Sequence, residues 1–271
     1  MSGRLAAGGG PAVLGVDVGG TFTDAVLVAG GRIFTSKKPS TEPQSVGVLA
    51  AAEAVLASAA VSAPEVARFV HGMTVATNAL LERRGARVVL VATEGFKDVL
   101  TIGRQDRAEL YTLYPRRSEP LVPRDLCLGV RERVGPEGVR VPLTEEEVLR
   151  VRDQVIALEP EAVAVGLLWS FFVPDHELRL REALEVRLGG VPVLASVEVA
   201  PVFREVERIG TTVVDAYVTP CTGRYLRSLA AACDEAGLRH PEIMESSGGT
   251  APLAQAAGHA ARLLLSGPAG G

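Results

Sequence analysis

The first forty residues alternate short apolar runs with glycine pairs, a pattern that predicts strands joined by tight turns. Val13 to Asp17 is predicted to form a buried strand, Gly19-Gly20 to turn it, and Asp24 to Val28 to form the return strand. Gly30-Gly31 is a second hairpin signal that leads into Arg32 to Ser36. The chain therefore begins with an antiparallel meander of three predicted strands.

Longer periodic segments follow and predict helices that alternate with further strands. An Ala-rich run with helical spacing covers 43–60, and an arginine pair before Gly85 ends a helix over 74–84. Thr144 and Glu147 form a capping-box pattern at the start of a helix that runs to about Leu158. The other predictions are strands at 68–70, 87–92, 126–134, 162–168, 191–197 and 242–245, helices at 176–188, 207–217 and 223–235, and an irregular stretch at 96–124. This order predicts an α/β fold.

Changes in composition divide the chain into regions. Residues 1–11 are rich in Gly and Ala and predict a disordered tail. Ala200-Pro201 marks a predicted boundary between one region over 12–200 and a second over 201–271. The chain closes on LLLSGPAGG, an apolar run followed by a glycine-rich loop that is typical of the entry to another element. We therefore expect the second region to be incomplete and the fold to be truncated before its second half.

Composition and charge argue against several classes of protein. Apolar residues make up 47% of the 271 residues, which is enough for one large domain or two of ordinary size. A net charge of −4 without a long Lys/Arg block disfavours nucleic-acid binding. The longest apolar run, Ala162 to Trp169, is too short to span a membrane. The 3 cysteines form no CxxC pair, which favours a reducing cytoplasm, so we expect a cytoplasmic protein that binds neither nucleic acid nor membrane.

The stretch GVDVGGTFTDAVLV places polar chemistry on the first hairpin. Its glycine spacing differs from that of a dinucleotide-binding loop, a strand rather than a helix follows it, and the chain has no GK[ST] motif. Gly19-Gly20 would let backbone N–H groups approach phosphate oxygens, and Thr21 and Thr23 offer hydroxyl donors. Asp17 could hold Mg²⁺ through water, and Asp24 could do the same or orient a threonine. The alternative is a hairpin turn with polar decoration.

A second polar group lies where the predicted strand at 68–70 leads into a helix. His71 ends the strand, and Thr74 and Asn78 are four residues apart, so their side chains share one helix face. Beside a cleft they could contact substrate or phosphate. The alternative is a helix cap with a satisfied buried polar pair, and a lone histidine is more often structural than catalytic.

Arg104, Gln105 and Arg107 lie in the irregular stretch together with Tyr111 and Tyr114. Arginine side chains suit carboxylates and phosphates, so a loop that carries them could clamp a substrate over a cleft. A solvated basic loop is an equally good interpretation of the same residues.

Two glycine-rich loops follow predicted strands near the end of the chain. Ser247, Gly248 and Gly249 come after the strand at 242–245, where a ligand loop would lie in an α/β sheet. Gly267 and Gly270 belong to the closing loop. The alternative for both loops is a simple turn.

Several blocks together resemble one protein family. The hairpin resembles the first phosphate loop of the actin/sugar-kinase/Hsp70 ATPase superfamily. The block HGMTVATNALLERRGARVVLVATEGFKDVLTIGRQDRAELYTLYPRR is similar to a block of the hydantoinase A / 5-oxoprolinase (N-methylhydantoinase) family, as are ERIGTTVVDAYVTP, MESSGGT and SGPAGG. The resemblance covers about residues 13–271. Met73 departs from it, because the family usually has Thr or Ser there, and Ser247 stands where Asn is common.

The resemblance implies an actin-like ATPase fold of the ribonuclease H type, with an N-terminal β-meander, a mixed sheet and flanking helices. It further implies ATP and Mg²⁺ as cofactors, with Asp17 and Asp24 as catalytic residues and Asp17 as the metal anchor. The implied nucleotide contacts are Gly19, Gly20, Thr21, Thr23, Ser247, Gly248, Gly249, Gly267 and Gly270. The implied substrate contacts are His71, Thr74, Asn78, Arg104, Gln105 and Arg107.

The activity implied by the resemblance is ATP-dependent opening of a cyclic amide, such as a hydantoin or 5-oxoproline, through phosphorylation of the carbonyl oxygen. The family usually works with a B-type subunit or a fused B domain, which would be the protein partner. Three alternatives stay open: a sugar or small-molecule kinase of the same superfamily, a subunit of an ATP-dependent carboxylase, and a non-catalytic fragment. We expect the 271-residue chain alone to be inactive.

Overall fold

The structure is a computed structural model and describes residues 10–105, 111–113 and 119–266. It contains two compact units. Unit 1 comprises 1–79 and 221–271, and unit 2 comprises 80–220. These units do not follow the sequence-based division at residue 200, which stays a prediction about regions of the sequence.

The strands of the described residues fall into three sheets. In chain order they are β1 (Ala12–Val18), β2 (Phe22–Ala29), β3 (Arg32–Pro39), β4 (Val66–Met73), β5 (Val88–Thr93), β6 (Cys127–Val130), β7 (Arg133–Gly135), β8 (Gly138–Val141), β9 (Ala162–Gly166), β10 (Val193–Ala195), β11 (Glu242–Met244) and β12 (Thr250–Pro252).

The α-helices lie between and after these strands. They are α1 (Gln44–Ala59), α2 (Val75–Leu81), α3 (Val99–Ile102), α4 (Glu145–Ala157), α5 (Asp175–Leu188), α6 (Ser196–Val199), α7 (Glu205–Glu235) and α8 (Leu253–Ala256). None of the helices in the described part of the chain is long and apolar enough to cross a membrane.

Unit 1 is organised around a six-stranded mixed sheet in the order β12-β11-β4-β1-β2-β3. The meander predicted from the glycine pairs is confirmed, because β1, β2 and β3 pair antiparallel. Strands β4 and β11 extend the sheet in parallel to β1. Alternate residues of β1 such as Leu14 and Val16 are buried, and α1 packs beside them with Val48 and Val55. The opposite face of β1 carries Asp17, which is exposed.

Unit 2 is organised around a parallel sheet in the order β10-β9-β5-β6, with β7 and β8 as a separate hairpin. Strands β5 and β9 are buried at every position, as the apolar runs predict for parallel strands covered on both faces. The predicted mixed α/β fold with a β-meander, a mixed sheet and flanking helices is therefore confirmed.

The predicted single strand at 126–134 is wrong in one respect. The segment does form an edge strand, β6, but Arg131 and Glu132 interrupt it before β7 begins. Glu132 is buried and accepts a hydrogen bond from the Thr93 hydroxyl and one from His176 Nδ1 at 2.9 Å. These bonds hold the Glu132 carboxylate at the end of β5, so the chain turns there instead of continuing as one strand.

The two predicted helices at 207–217 and 223–235 are a single helix, α7. Pro220 lies inside it, and Gly223 follows three residues later. A proline within a helix costs about 3 kcal/mol because it removes a hydrogen bond. Buried apolar residues on both sides of the proline, among them Ile209 and Leu226, offset that cost. Local sequence therefore predicted a break where burial maintains the helix.

The predicted strand at 191–197 is also shorter in the structure. It ends at Ala195, and α6 begins at Ser196. The Glu177 carboxylate explains the early end, because it accepts hydrogen bonds from Val197 N at 2.7 Å and from the Ser196 hydroxyl at 3.0 Å. These groups turn toward α5 rather than continuing a strand.

Candidate functional site

The turn between β1 and β2 is stabilised by hydrogen bonds from one serine, Ser40. Gly19 N donates to Phe22 O at 3.0 Å and closes the turn. Ser40 Oγ donates to Gly19 O at 2.8 Å, and Ser40 N donates to Thr21 O at 2.9 Å. Both carbonyl groups of the turn therefore point toward the end of β3. Within the described residues, the N–H groups of Gly20 and Thr21 have no hydrogen-bond partner.

Those two N–H groups make the turn suitable for an anion. Gly20 has open space where a Cβ would stand, so an oxygen atom could approach its backbone closely. Thr21 is exposed at the same turn. Successive unpartnered amides of this kind form a concavity that attracts phosphate oxygens.

The two threonines of the motif differ in their surroundings. Thr23 is fully buried, and its hydroxyl lies 3.3 Å from Ser40 Oγ. Because the Ser40 proton is directed at Gly19 O, the Thr23 hydroxyl must donate to Ser40. The role that this geometry gives Thr23 is support of the turn, and Thr21 is the threonine that faces solvent.

Asp17 sits between a second carboxylate and a glycine. It pairs with Asp24 of β2 and with Gly72 of β4 in the register of the sheet. A Cβ on residue 72 would lie 2.6 Å from Asp17 Oδ1, so only glycine leaves this carboxylate its position. Burial, and then the charge of Asp24, raise the pKa of Asp17 above its ordinary value.

The donor set at Asp17 fits a hard cation. A bound cation would relieve the repulsion between Asp17 and Asp24, and Mg²⁺ takes one or two carboxylates while it keeps several waters. Asp24 is bound by Lys37 Nζ, which lies 2.9 Å from both carboxylate oxygens. This leaves Asp17 as the better ligand. The described residues contain no group of three or more His, Cys, Asp or Glu side chains that could form a protein-only metal cage.

His71 is buried and both of its ring nitrogens are used. Nδ1 lies 3.0 Å from Val16 O, and Nε2 lies 2.7 Å from the Tyr225 hydroxyl. Since a carbonyl only accepts, Nδ1 carries the proton and Nε2 accepts from Tyr225. Burial lowers the pKa of His71 to about 4, although the bond to Val16 opposes the shift. His71 thus links the strand that carries Asp17 to α7 and offers no nitrogen to a substrate.

Thr74 and Asn78 lie next to the hairpin. Thr74 Oγ1 donates to Val18 O at 3.0 Å, and Asn78 Nδ2 donates to Thr74 Oγ1 at 3.3 Å. This chain of bonds attaches the start of α2 to the end of β1. Met73, where the family usually has a hydroxyl residue, is 1% exposed in an apolar cluster with Ile243. Its side chain therefore points into the core, away from the Thr74 side.

The loop after β11 lies at the same edge of the sheet, because β1, β4 and β11 run parallel. Gly249 O accepts from Glu245 N at 2.9 Å, and Gly248, with φ at +87°, donates to Glu245 O at 3.0 Å. Ser247 is exposed in this turn. Ser266 Oγ donates to Met73 O at 3.3 Å, which brings the entry of the closing loop to this edge as well.

The remaining predicted residues lie in unit 2 or outside the described residues. Arg104 belongs to unit 2, where it forms an ion pair with Glu207. Gln105, also in unit 2, has a left-handed backbone with φ at +61°. Arg107, Gly267 and Gly270 lie outside the described residues. In unit 1 the structure therefore assembles the hairpin, Asp17, Thr74, Asn78 and residues 247–249.

Sequence reasoning missed Ser40, Gly72 and Tyr225, which shape the site without lying in its motif. Ser40 is 21 positions from Gly19, and Tyr225 is 154 positions from His71. Only Gly72 had a usable signal, since a glycine after a predicted buried strand often marks close approach by another group.

The described residues form a mixed α/β fold with a polar hairpin at the carboxyl end of β1. Comparisons with known proteins identify its family. Residues 13–188 match the hydantoinase/oxoprolinase N-terminal region, and residues 208–271 match the hydantoinase/oxoprolinase family. The chain belongs to the hydantoinase/oxoprolinase family.

Three relatives show the range of activities in this family. One is acetone carboxylase, whose nucleotide-free structure was solved in work on ATP-dependent acetone carboxylation. It is 31% identical in sequence and has a TM-score of 0.86, and the match covers 97% of this chain and 40% of that chain. The crystal structure of the ATP-dependent caprolactamase from Pseudomonas jessenii is 33% identical with a TM-score of 0.84, covering 94% and 38%. 5-Oxoprolinase 1 of Arabidopsis thaliana is 36% identical, covering 74% and 17%. The chain thus spans less than half the length of each.

Proposed function

We propose that this chain is the nucleotide-binding part of an A-type subunit that opens a cyclic amide at the expense of ATP. The observation that carries the proposal is the turn between β1 and β2. Two unpartnered amides, of Gly20 and Thr21, lie beside the exposed carboxylate of Asp17. The solved caprolactamase relative is named as ATP-dependent, and another relative is named as a 5-oxoprolinase; both names support the same reaction class.

In the proposed site each residue has a limited task. The Gly20 and Thr21 amides bind phosphate oxygens, and Ser40 and Thr23 hold the turn in shape. Asp17 holds Mg²⁺ through water, and Gly72 leaves room for its carboxylate. When bound, Mg²⁺ neutralises the negative charge of the phosphate groups.

The other loops at the same edge complete the proposal. Residues 247–249 contact the nucleotide from the end of β11, and Thr74 and Asn78 orient the amide. Fixed amides and hydroxyls of this kind accelerate a reaction by positioning and by charge stabilisation, so no nucleophilic side chain is needed.

The chemistry balances with two molecules of water. The amide carbonyl oxygen attacks the γ-phosphorus of ATP, and the bond to ADP breaks. Water adds to the activated carbon, the C–N bond breaks with a proton transferred to nitrogen, and the ring opens as an acyl phosphate. A second water hydrolyses the acyl phosphate to a carboxylate and inorganic phosphate.

Carboxylation is the second candidate, and one observation favours it. The fold of this chain superposes on acetone carboxylase with a TM-score of 0.86. Both reactions would begin with transfer of a phosphoryl group to a carbonyl oxygen, so the same hairpin could serve either. The two differ in what attacks afterwards, which the residues of this chain do not select.

The test uses a family-length version of the protein together with its B-type subunit, since the chain covers 38–40% of the solved relatives. ADP release is measured with 5-oxoproline, hydantoin and caprolactam, and separately with ketones plus bicarbonate. We expect a cyclic amide to stimulate ADP release and to yield the ring-opened acid. ADP release that responds only to ketone and bicarbonate would replace the first candidate with the second. A cytoplasmic location stays a prediction.

A further inference from the structure

Unit 2 exposes aromatic side chains on two loops, one after strand β9 and one between α6 and α7. Phe172 is 61% exposed on the first loop, and Phe203 is 66% exposed on the second. Trp169 stacks on Phe171 with ring centroids 5.5 Å apart and an angle of 30° between planes. Val202 adds further exposed apolar surface. We call these five residues the aromatic patch.

One buried cation ties the two loops together. Arg208 of α7 is fully buried, and its Nη2 donates to Leu167 O at 2.6 Å. Its Nη1 donates to Val202 O at 2.9 Å, and its guanidinium lies 5.6 Å from the centre of the Phe171 ring. The two loops therefore hold a fixed position relative to each other.

A second buried group fixes the start of the first loop. Glu177 accepts from Leu167 N at 2.8 Å and from Val197 N at 2.7 Å. Two residues after Leu167, the backbone of Trp169 has φ at +59°, a left-handed conformation that is unfavourable for a bulky side chain. Such strain persists where surrounding contacts enforce it, and it concentrates at ligand and partner sites.

The exposure of the rings indicates the kind of ligand. A small-molecule site is concave and buries its lining, whereas Phe172 and Phe203 turn more than half of their surfaces to solvent. Exposed, preorganised aromatic and arginine side chains are instead the residues that dominate protein–protein interfaces.

Charge narrows the partner further. The guanidinium of Arg204 lies 5.5 Å from the centre of the Phe203 ring and is exposed. Arg204 forms no ion pair within the described residues; its charge contributes to the lowered pKa of Glu207, but that carboxylate is paired with Arg104. A partner that places an acidic side chain beside apolar ones would match Arg204 and the rings together.

We propose that the aromatic patch is the docking surface for the B-type partner subunit, whose contact region is apolar with an acidic residue opposite Arg204. This docking proposal rests on the proposed function, because the B-type subunit is a partner only if the chain is an A-type subunit. Relatives of this chain are named as caprolactamase and carboxylase subunits, which favours a different subunit over a second copy of this chain.

Trp169 allows a direct test because it is the only tryptophan of the chain, with a count of 1. 5-Fluorotryptophan in this chain alone gives a single ¹⁹F resonance, which is followed while unlabelled B-type subunit is added. We expect the resonance to shift and its solvent accessibility to fall on binding. A resonance that stays unchanged in a complex proven by ultracentrifugation overturns the proposal, as does shielding of Trp169 by self-association before the partner is added.

Two variants and a matched control distinguish a loss of the docking surface from a general effect of placing a charge at an exposed apolar position. Phe172→Asp and Phe203→Asp are expected to weaken binding of the B-type subunit at least about tenfold. Leu113→Asp, at another apolar position of unit 2 that is 91% exposed, is expected to bind normally. Normal binding by both phenylalanine variants overturns the docking surface alone. Absence of any complex with the unmodified chain overturns both the surface and the proposed partner, while the ADP-release assay judges the reaction independently.

Discussion

Two carboxylates, one in each unit, have opposite surroundings. Asp17 of unit 1 is exposed and faces a second carboxylate, Asp24. Glu177 of unit 2 is fully buried and accepts hydrogen bonds from Leu167 N, Val197 N and Ser196. Loss of solvent around the carboxylate raises the pKa of both, partly at Asp17 and almost fully at Glu177. At Glu177 hydrogen bonds oppose the shift, whereas at Asp17 the charge of Asp24 adds to it. A carboxylate whose oxygen atoms all accept hydrogen bonds from the protein stabilises the fold. A carboxylate without such donors can bind a ligand.

The largest effect is expected from Arg208→Met in unit 2. It removes the donors to Leu167 O, to Val202 O and to Ser196 Oγ, the hydroxyl that connects Arg208 with the Glu177 carboxylate. Each buried acceptor left without a partner costs about 1–3 kcal/mol. Urea denaturation should show this loss in the free energy of unfolding. Combining it with Glu177→Gln should cost less than the sum of the two single changes, and strict additivity would show that these side chains do not interact.

Asp17→Asn tests the opposite property in unit 1. We expect ADP release by the family-length enzyme to fall roughly a hundredfold, as for loss of one electrostatic contact to a transition state. Stability should change by less than about 0.5 kcal/mol, because the side chain is exposed and its repulsion by Asp24 disappears. Asp153→Asn, an exposed change elsewhere, is the control. Unchanged turnover in Asp17→Asn would remove this residue from the site.

His71 predicts a pH dependence of stability. Its folded pKa of about 4 lies below the unfolded value of 6.5, so between these values the unfolded chain binds more protons. Stability is therefore full above pH 6.5 and falls as the pH drops toward 4, by on the order of 3 kcal/mol if the shift is complete. His71→Gln should lack this component of the slope in urea titrations from pH 4 to 7. Equal slopes for the two proteins would contradict the buried neutral imidazole.

The smallest effect is expected at the pair of Lys37 and Asp24. Their side chains are 57% and 51% exposed, so the ion pair is screened by solvent. Lys37→Ala should therefore cost less than about 1 kcal/mol in the free energy of unfolding. A larger loss, measured beside Lys38→Ala, would mean that this pair contributes more to the hairpin than its exposure suggests.

Much of the fold was predictable because its signals are local. The glycine pairs correctly predicted the meander, and Thr144 correctly predicted the start of α4, since its hydroxyl accepts from Glu147 N at 3.2 Å. The second half of that capping box was not predictable. Glu147 Oε1 accepts from Arg131 N at 2.7 Å instead of reaching back to Thr144 N, because a distant segment packs against it.

The site was predictable to the same extent. The hairpin motif placed Asp17, Gly20 and Thr21 together because they are neighbours in the chain. The family resemblance assigned Thr23 to the nucleotide and His71 to the substrate, and both assignments stay predictions. In the structure the Thr23 hydroxyl is bound to Ser40 and the His71 ring to Tyr225. Neither partner lies near in sequence, so spacing alone could not distinguish a residue that faces a ligand from one that supports the turn.

The sequence by itself determined the α/β class, the first three strands and the polar hairpin, since each depends on residues a few positions apart, and it determined the family through several such local motifs. Tertiary structure decided that α7 continues through Pro220, that Asp17 remains exposed beside Asp24, and that Glu177 and Arg208 are buried. The physical reason is that burial and hydrogen bonding depend on which distant segments meet. The free energy of those contacts outweighs local preference wherever the two conflict.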